Sequence, residues 1–326
     1  MTVDIPIQVF TDVPGDLVHI LQARLPRSIT LLRRLQFTKF PSGKTEHTRI
    51  IVASDPPLTS KIVDWSSWQN GNETVPQPHH FTAAYLDPSR GHETNMWLYS
   101  TFEDFHGADC NIPPLSEEET TLCSRQIIAV LNEAKRQGRL YPHQPLANPK
   151  YILVASLHDA VKAAAARNGV QFESTQEPGY DKFIFKIDQL PEGEELELPQ
   201  GLVWRKGTLG DCEIVKSKTN IPRSVKLLTT LKSMFIKLED GTPVAWGFLG
   251  KSLLNALMAH SVAFIARCES FRRRGLARKV GAKLMREMTS AYGDDNYSSA
   301  DVTPCNTSSQ AMCKSLNGKV EWSSQW

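Results

Sequence analysis

Residues 271 to 277 read Phe-Arg-Arg-Arg-Gly-Leu-Ala and join an apolar, strand-like run to an amphipathic helix. Gly275 has no Cβ, so the backbone there can curl and direct successive N–H groups at one anion. The helix is predicted from apolar residues that recur every four positions, at Leu276, Val280, Leu284 and Met288, with four cations left to solvent, at Arg278, Lys279, Lys283 and Arg286. Its dipole and the three arginines favour negative charge, and a diphosphate is the anion that suits such a turn.

Length and composition set the class of protein. A chain of 326 residues with 40% apolar and 22% charged residues is long enough for two globular domains. The net charge of +2 shows no bulk basicity, which argues against nucleic acid or an anionic membrane as the main partner. The start carries no basic and apolar leader, and no run approaches about 18 apolar residues. Six sparse cysteines fit a reducing compartment, so we expect a cytoplasmic protein.

The two halves of the chain follow the same order of elements. Each runs helix, hairpin, helix, strand, helix, and each last helix stops at Asn-Gly, at 168–169 and at 317–318. An acidic stretch bounded by prolines, at 187–200, lies between them. The sequence therefore predicts an α/β fold with a mixed sheet, built as an N-terminal domain at 1–190, a linker at 191–200 and a C-terminal domain at 201–326.

Only the second half has the turn of glycine and arginine. The corresponding loop in the first half, Pro114 to Thr121, carries three glutamates that would repel a diphosphate. We therefore expect anion binding in the second half alone.

The segment before this turn leaves one strand ambiguous. Asp240-Gly241 predicts a hairpin with a type I′ turn, which needs positive φ at both central residues. Between that hairpin and Arg272 lies a long segment with two candidate strands, Leu253 to Met258 and Val262 to Cys268. Adjacency to the turn favours the second strand. If the first is the core strand, residues 259–267 are an insertion.

Adjacent histidines at 79 and 80 are candidate metal ligands. Neighbouring residues on a strand point to opposite faces, and no carboxylate or cysteine stands at ligand spacing nearby. We therefore interpret them as a pair at the entry of a strand, and we predict no metal site.

The pattern Arg272-x-x-Gly275-x-Ala277, after a strand and before a helix, resembles the coenzyme A signature of the GNAT superfamily of N-acetyltransferases. An asparagine at 306, a serine three residues later and a helix that ends at Asn317-Gly318 occur in the order that this superfamily shows. Together with residues 240–246, these features are similar to the glycine N-acyltransferase-like branch and its fungal relatives. The resemblance implies tandem GNAT-like domains with a degenerate N-terminal copy.

The resemblance also implies direct transfer of an acyl group from acetyl-CoA, or another short acyl-CoA, to an amine. The upstream strand would pair with pantetheine, and the start of the helix would hold the diphosphate. The residues implied in cofactor binding are Cys268, Arg272, Arg273, Arg274, Gly275, Leu276, Ala277 and Asn306. A small-molecule amine is the expected acceptor, because no docking surface for a protein amine is evident.

The catalytic residues are less defined. Many superfamily members place a tyrosine seven residues after the asparagine, as the acid for the leaving thiolate, and this chain has Cys313 there. A cysteine on a helix face is more commonly a small core residue. Glu269 and His260 are the candidate bases, although each also suits a loop or surface position. The missing tyrosine keeps open a second hypothesis, a catalytically silent acyl-CoA-binding or scaffold protein.

Overall fold

The computed structural model describes residues 5–41, 43–58, 62–63, 79–91, 95–106, 113–143, 151–173, 179–218, 225–249, 263–266, 271, 274–293 and 295–325. These residues form two compact units. Unit 1 runs up to Gly179 and takes in the chain again from Glu321 onward, whereas unit 2 is Tyr180–Val320.

Unit 1 is built on a mixed sheet. Its elements are β1 (Ile7–Phe10), α1 (Gly15–Ala23), α2 (Ile29–Gln36), β2 (Arg49–Ser54), β3 (Phe81–Leu86), β4 (Met96–Ser100), α3 (Glu117–Leu140), β5 (Val154–Ala155), β6 (Leu157–His158) and α4 (Asp159–Arg167). The sheet order is β1-β2-β3-β4-β5, with antiparallel pairs except for the parallel pair β4 and β5.

The sheet of unit 1 is buried on both faces. Side chains alternate between the faces of a strand. On β2, Ile50 and Val52 belong to one apolar cluster, with residues of α1 and α2, while Ile51 and Ala53 belong to a second, with residues of α3 and α4. Helices therefore cover both sides of the sheet, which explains why Ile50, Ile51, Val52 and Ala53 are apolar at four successive positions.

Unit 2 has the same kind of layers. Its elements are β7 (Tyr180–Lys186), β8 (Leu202–Arg205), α5 (Leu209–Lys218), α6 (Val225–Thr230), β9 (Lys232–Leu238), β10 (Pro243–Leu249), β11 (Ala263–Ala266), α7 (Leu276–Met288), β12 (Tyr297–Val302) and α8 (Thr307–Ser315). Four strands form an antiparallel sheet in the order β11-β10-β9-β8, and β12 pairs with β7. The helix α7 packs against β9 and β10, just as α3 packs against β2 and β3.

The predicted fold class, α/β with a mixed sheet, is confirmed by this architecture. The hairpin between β9 and β10 is also present, but its turn is not of type I′. Gly241 has a φ of +92°, whereas Asp240 is not among the residues with positive φ. One glycine in the left-handed region, preceded by right-handed residues, is the other common way to close such a hairpin.

The two compact units divide between Gly179 and Tyr180 and again between Val320 and Glu321. Strand β7 pairs along its length with β12, so residues 180–186 belong to unit 2. The acidic stretch expected as the linker at 191–200 also lies in unit 2, where Arg286 of α7 donates to the carbonyl oxygens of Leu190 and Pro191. The last strand, β13 (Lys319–Gln325), pairs with β6 of unit 1. Strand pairing between distant segments therefore sets the boundaries.

No helix in the described part of the chain is long and apolar enough to cross a membrane.

Candidate functional site

The start of α7 is an open turn. Gly275 occupies the N-cap position in the left-handed region, with φ +71° and ψ +6°, and no side chain caps the helix there. The first N–H groups of a helix have no partner within the helix, so those of Leu276 and Ala277 are directed out of its end. A Cβ built on Gly275 would meet no atom within 4 Å. The turn thus combines outward N–H groups with free space among the described residues.

The helix behind this turn is firmly held. Its predicted apolar face is confirmed, because Leu276, Val280 and Leu284 are at most 1% exposed. The four cations predicted to face solvent are partly exposed. Arg278 donates from Nε to the carbonyl oxygen of Ser315 at 2.9 Å. Arg286 binds the segment before β8, and Lys283 lies over the ring of Trp204 at 5.4 Å. Long cationic side chains here act as packing groups at the edges of the helix.

Strand β11 belongs to the sheet of β8, β9 and β10. It pairs antiparallel with β10, with Ala263 opposite Phe248 and Ala266 opposite Ala245. This strand lies within the second candidate, Val262 to Cys268. The first candidate, 253–258, lies outside the described residues. The strand next in sequence to the anion turn is therefore at one end of the sheet of unit 2.

Several predicted site residues lie outside the described part of the chain, namely His260, Cys268, Glu269, Arg272 and Arg273. Arg274 is described and exposed, and its guanidinium lies over the ring of Phe271 at 5.2 Å. Among the described residues, Arg274, Gly275, Leu276 and Ala277 are contiguous at the start of α7.

Asn306 begins the next helix. Its side-chain Oδ1 accepts from the N–H of Ser309 at 3.1 Å, so it caps α8 directly after the turn that follows β12. The residue is exposed. The asparagine and the serine three residues later are therefore explained by helix capping.

Cys313 faces the interior of unit 2. It is 1% exposed, and burial raises the pKa of its thiol to about 12. An unperturbed cysteine thiol has a pKa of about 8.5, so the Cys313 thiol is a much weaker acid than usual. Transfer of a proton from Cys313 to the leaving thiolate is therefore uphill.

A buried ion pair between β7 and β12 was not expected from the sequence. Lys182 Nζ lies 2.6 Å from Asp301 Oδ1, and both side chains are 0% exposed. The two residues are direct cross-strand partners. Next to Lys182, Asp181 accepts from Gln310 of α8 at 2.8 Å. No pattern in the sequence links these segments, because their pairing depends on the topology.

A family model and several solved structures are similar to this chain. A family model described as the N-terminal domain of the acyl-CoA N-acyltransferase verG matches residues 5–183. Among solved structures, a Drosophila protein has a TM-score of 0.54 at 14% identity and covers 99% of both chains. At this identity the likeness shows the fold alone.

Two further structures are similar at lower scores. A GCN5-related N-acetyltransferase from Sphaerobacter thermophilus has a TM-score of 0.48 at 14% identity, covering 98% of this chain and 95% of its own. A tandem GNAT protein from the clavulanic acid biosynthesis pathway has 0.45 at 10% identity, covering 98% and 97%. No curated protein sequence matches the chain. Because the family model spans more than half of the chain, the protein belongs to the acyl-CoA N-acyltransferase family of verG, and its predicted place in the GNAT superfamily is confirmed.

Proposed function

We propose that the protein transfers an acyl group from acetyl-CoA, or another short acyl-CoA, directly to a small-molecule amine, and that unit 2 binds the coenzyme. The observation that carries the proposal is the open, left-handed Gly275 turn at the start of α7. A diphosphate accepts hydrogen bonds from several N–H groups of such a helix start and gains from its dipole. Arg274 adds an exposed positive charge beside the turn.

The corresponding helix start in unit 1 supports this assignment by contrast. Ser116 caps α3 and accepts from the N–H of Glu119 at 3.2 Å, while Glu119 accepts from the N–H of Ser116 at 2.9 Å. The first turn carries Glu117, Glu118 and Glu119. This helix start is thus satisfied by its own side chains and is negative, so it repels a diphosphate. We therefore propose that unit 1 is the degenerate copy, which does not bind the coenzyme.

The reaction forms one N–C bond and breaks one C–S bond. The neutral amine attacks the thioester carbonyl, and the nitrogen of the tetrahedral intermediate then loses a proton. The intermediate collapses to the amide, and coenzyme A leaves as a thiolate that takes up a proton. Glu269 and His260 remain our candidate bases for the ammonium. We assign Cys313 to packing instead of proton transfer, because burial makes its thiol a weaker acid than an exposed cysteine.

Cys313→Ala tests this assignment. We expect kcat to stay within about twofold of wild type, because no proton passes through the thiol. The stability should fall by about 1 to 2 kcal/mol, because the change removes buried volume. Steady-state kinetics and a denaturant titration measure the two effects, and Cys305→Ala, at an exposed cysteine of the same unit, is the control. A loss of about 10² to 10⁴ in kcat with unchanged coenzyme A affinity would instead make Cys313 the general acid.

A panel of small amines tests the activity itself. The protein is incubated with acetyl-CoA and each amine, and the released thiol and the mass of the acylated product are measured. We expect thiol release that depends on one class of amine. Binding of coenzyme A without release for any amine would favour the alternative, a silent acyl-CoA-binding protein.

A further inference from the structure

We propose that His79, His80 and Glu119 of unit 1 form a binding site for Zn²⁺ or a similar transition-metal ion. Three donor groups converge there, because one ligand atom of each residue lies within 4.8 Å of those of the other two. Nε2 of His80 is 2.9 Å from His79 Nδ1 and 3.4 Å from Glu119 Oε1.

The two donor distances at Nε2 of His80 are close to those of a tetrahedral ion. Zinc binds imidazole nitrogen and carboxylate oxygen at about 2.0 to 2.2 Å, which places two donors about 3.4 Å apart at a tetrahedral angle. The distance from His80 to Glu119 has this value, and the pair of histidine nitrogens needs to open by a few tenths of an ångström. Two imidazoles and one carboxylate leave the fourth position to water, on the side where His79 is exposed.

The central ligand, His80, is held in place by its surroundings. It is 6% exposed, and Sγ of Cys123 lies 3.5 Å from Nδ1, the ring nitrogen that does not face the other donors. Its carbonyl oxygen accepts from Gln126 Nε2 at 3.0 Å. Contacts to the far side of a ligating histidine fix the orientation of the ring and strengthen metal binding. Both contacts come from α3, one and two turns beyond Glu119.

The carboxylate is oriented in the same way. Glu119 presents Oε1 to His80, while Oε2 accepts from the N–H and the hydroxyl of Ser116 at 2.9 and 2.8 Å. The capping interaction that closes α3 thus also positions a metal ligand. An ion here would join the residues just before β3 to the first turn of α3.

The charge around the cluster favours a cation. Glu117 and Glu118 lie in the same turn of α3 as Glu119. The cation nearby, Arg24, reaches the carbonyl oxygen of His79 at 3.5 Å, but it is paired with Asp104 at 2.9 Å. The first turn of α7 in unit 2 thus favours an anion, whereas the first turn of α3 in unit 1 favours a cation.

The sequence predicted no metal site, because no carboxylate or cysteine stands close to His79 and His80 along the chain. Glu119 and Cys123 lie 39 and 43 residues beyond His80. The fold brings them together because α3 packs against β3. Without an ion the same residues form a hydrogen-bonded chain, so the test has to detect the metal.

The first measurement is a zinc titration of the full chain, freed of metal by a chelator, in competition with a chromophoric chelator. We expect one tight equivalent in the wild type. Glu119→Gln keeps the size of the side chain and removes its charge, and His79→Ala removes an exposed ligand. Each should weaken zinc binding by about 100-fold or more, because loss of a direct ligand exceeds the loss of an outer contact. The matched controls, Glu118→Gln and His143→Ala, should still bind one zinc ion per chain as tightly as the wild type does.

The second measurement is thermal unfolding with and without zinc. An ion that binds only the folded protein at 100 times its Kd raises the melting temperature by about 5 °C or more. This rise should be absent in Glu119→Gln and His79→Ala and present in both controls. Absence of a zinc equivalent in the wild type, or an equivalent that survives both ligand variants, would overturn the proposal.

Discussion

Gly275→Glu should weaken coenzyme A binding on the order of 100-fold while the protein stays folded. The glycine has a φ of +71°, and apart from its chain neighbours no described residue has an atom within 4 Å of a Cβ built there, so we expect a side chain to extend into the space in front of the helix start. A glutamate would fill that space and add a negative charge where the dipole of α7 favours a diphosphate. Isothermal titration with coenzyme A measures the loss, and circular dichroism reports the fold.

Gly241→Glu is the matched control for this change. Gly241 has a φ of +92°, and no atom lies within 4 Å of a Cβ built there. The same side chain, the same charge and similar backbone strain are thus introduced in the β9–β10 turn of the same unit. We expect its coenzyme A affinity to match the wild type. Unchanged affinity in a folded Gly275→Glu protein would show that the anion binds elsewhere.

Lys182→Met should destabilise unit 2 by about 3 to 5 kcal/mol, the usual cost of removing one partner of a buried ion pair. Lys182 and Asp301 are 0% exposed and 2.6 Å apart, so the change leaves a carboxylate in the interior without its lysine. Methionine has a similar length, so the loss is of charge and not of volume. A guanidinium titration followed by circular dichroism measures the difference.

Lys186→Met provides the comparison on the same strand. Lys186 lies on β7 and is exposed, so its loss should change stability by less than about 0.5 kcal/mol. The double variant Lys182→Met with Asp301→Leu should recover most of the lost stability, because an apolar pair needs no counter-charge. If Lys182→Met costs no more than Lys186→Met, the buried pair makes no net contribution.

Local patterns in the sequence predicted local structure well. The four-residue period at Leu276, Val280 and Leu284 predicted α7 and its buried face, because the period of a helix fixes which side chains share a face. Asp240-Gly241 predicted the β9–β10 hairpin but not its turn type. A glycine permits a positive φ at its own position, and the sequence does not show whether the residue before it follows.

Features that depend on distant pairing could not be predicted. Strands β7 and β12 come from segments far apart in the chain, and their register creates the pair of Lys182 and Asp301. Sequence spacing likewise did not connect His80 with Glu119, because the two are 39 residues apart and meet only through the packing of α3 against β3. The candidate coenzyme site stays a prediction from the stretch around Gly275, whereas the sequence could not show the burial of Cys313, because that burial depends on packing.

A crystal structure of the full chain soaked with coenzyme A tests the account most directly. We predict diphosphate density in front of the N–H groups of Leu276 and Ala277, with the pantetheine arm along β11. Diphosphate density at the start of α3, at any other place away from α7, or at no place at a saturating concentration would contradict the account.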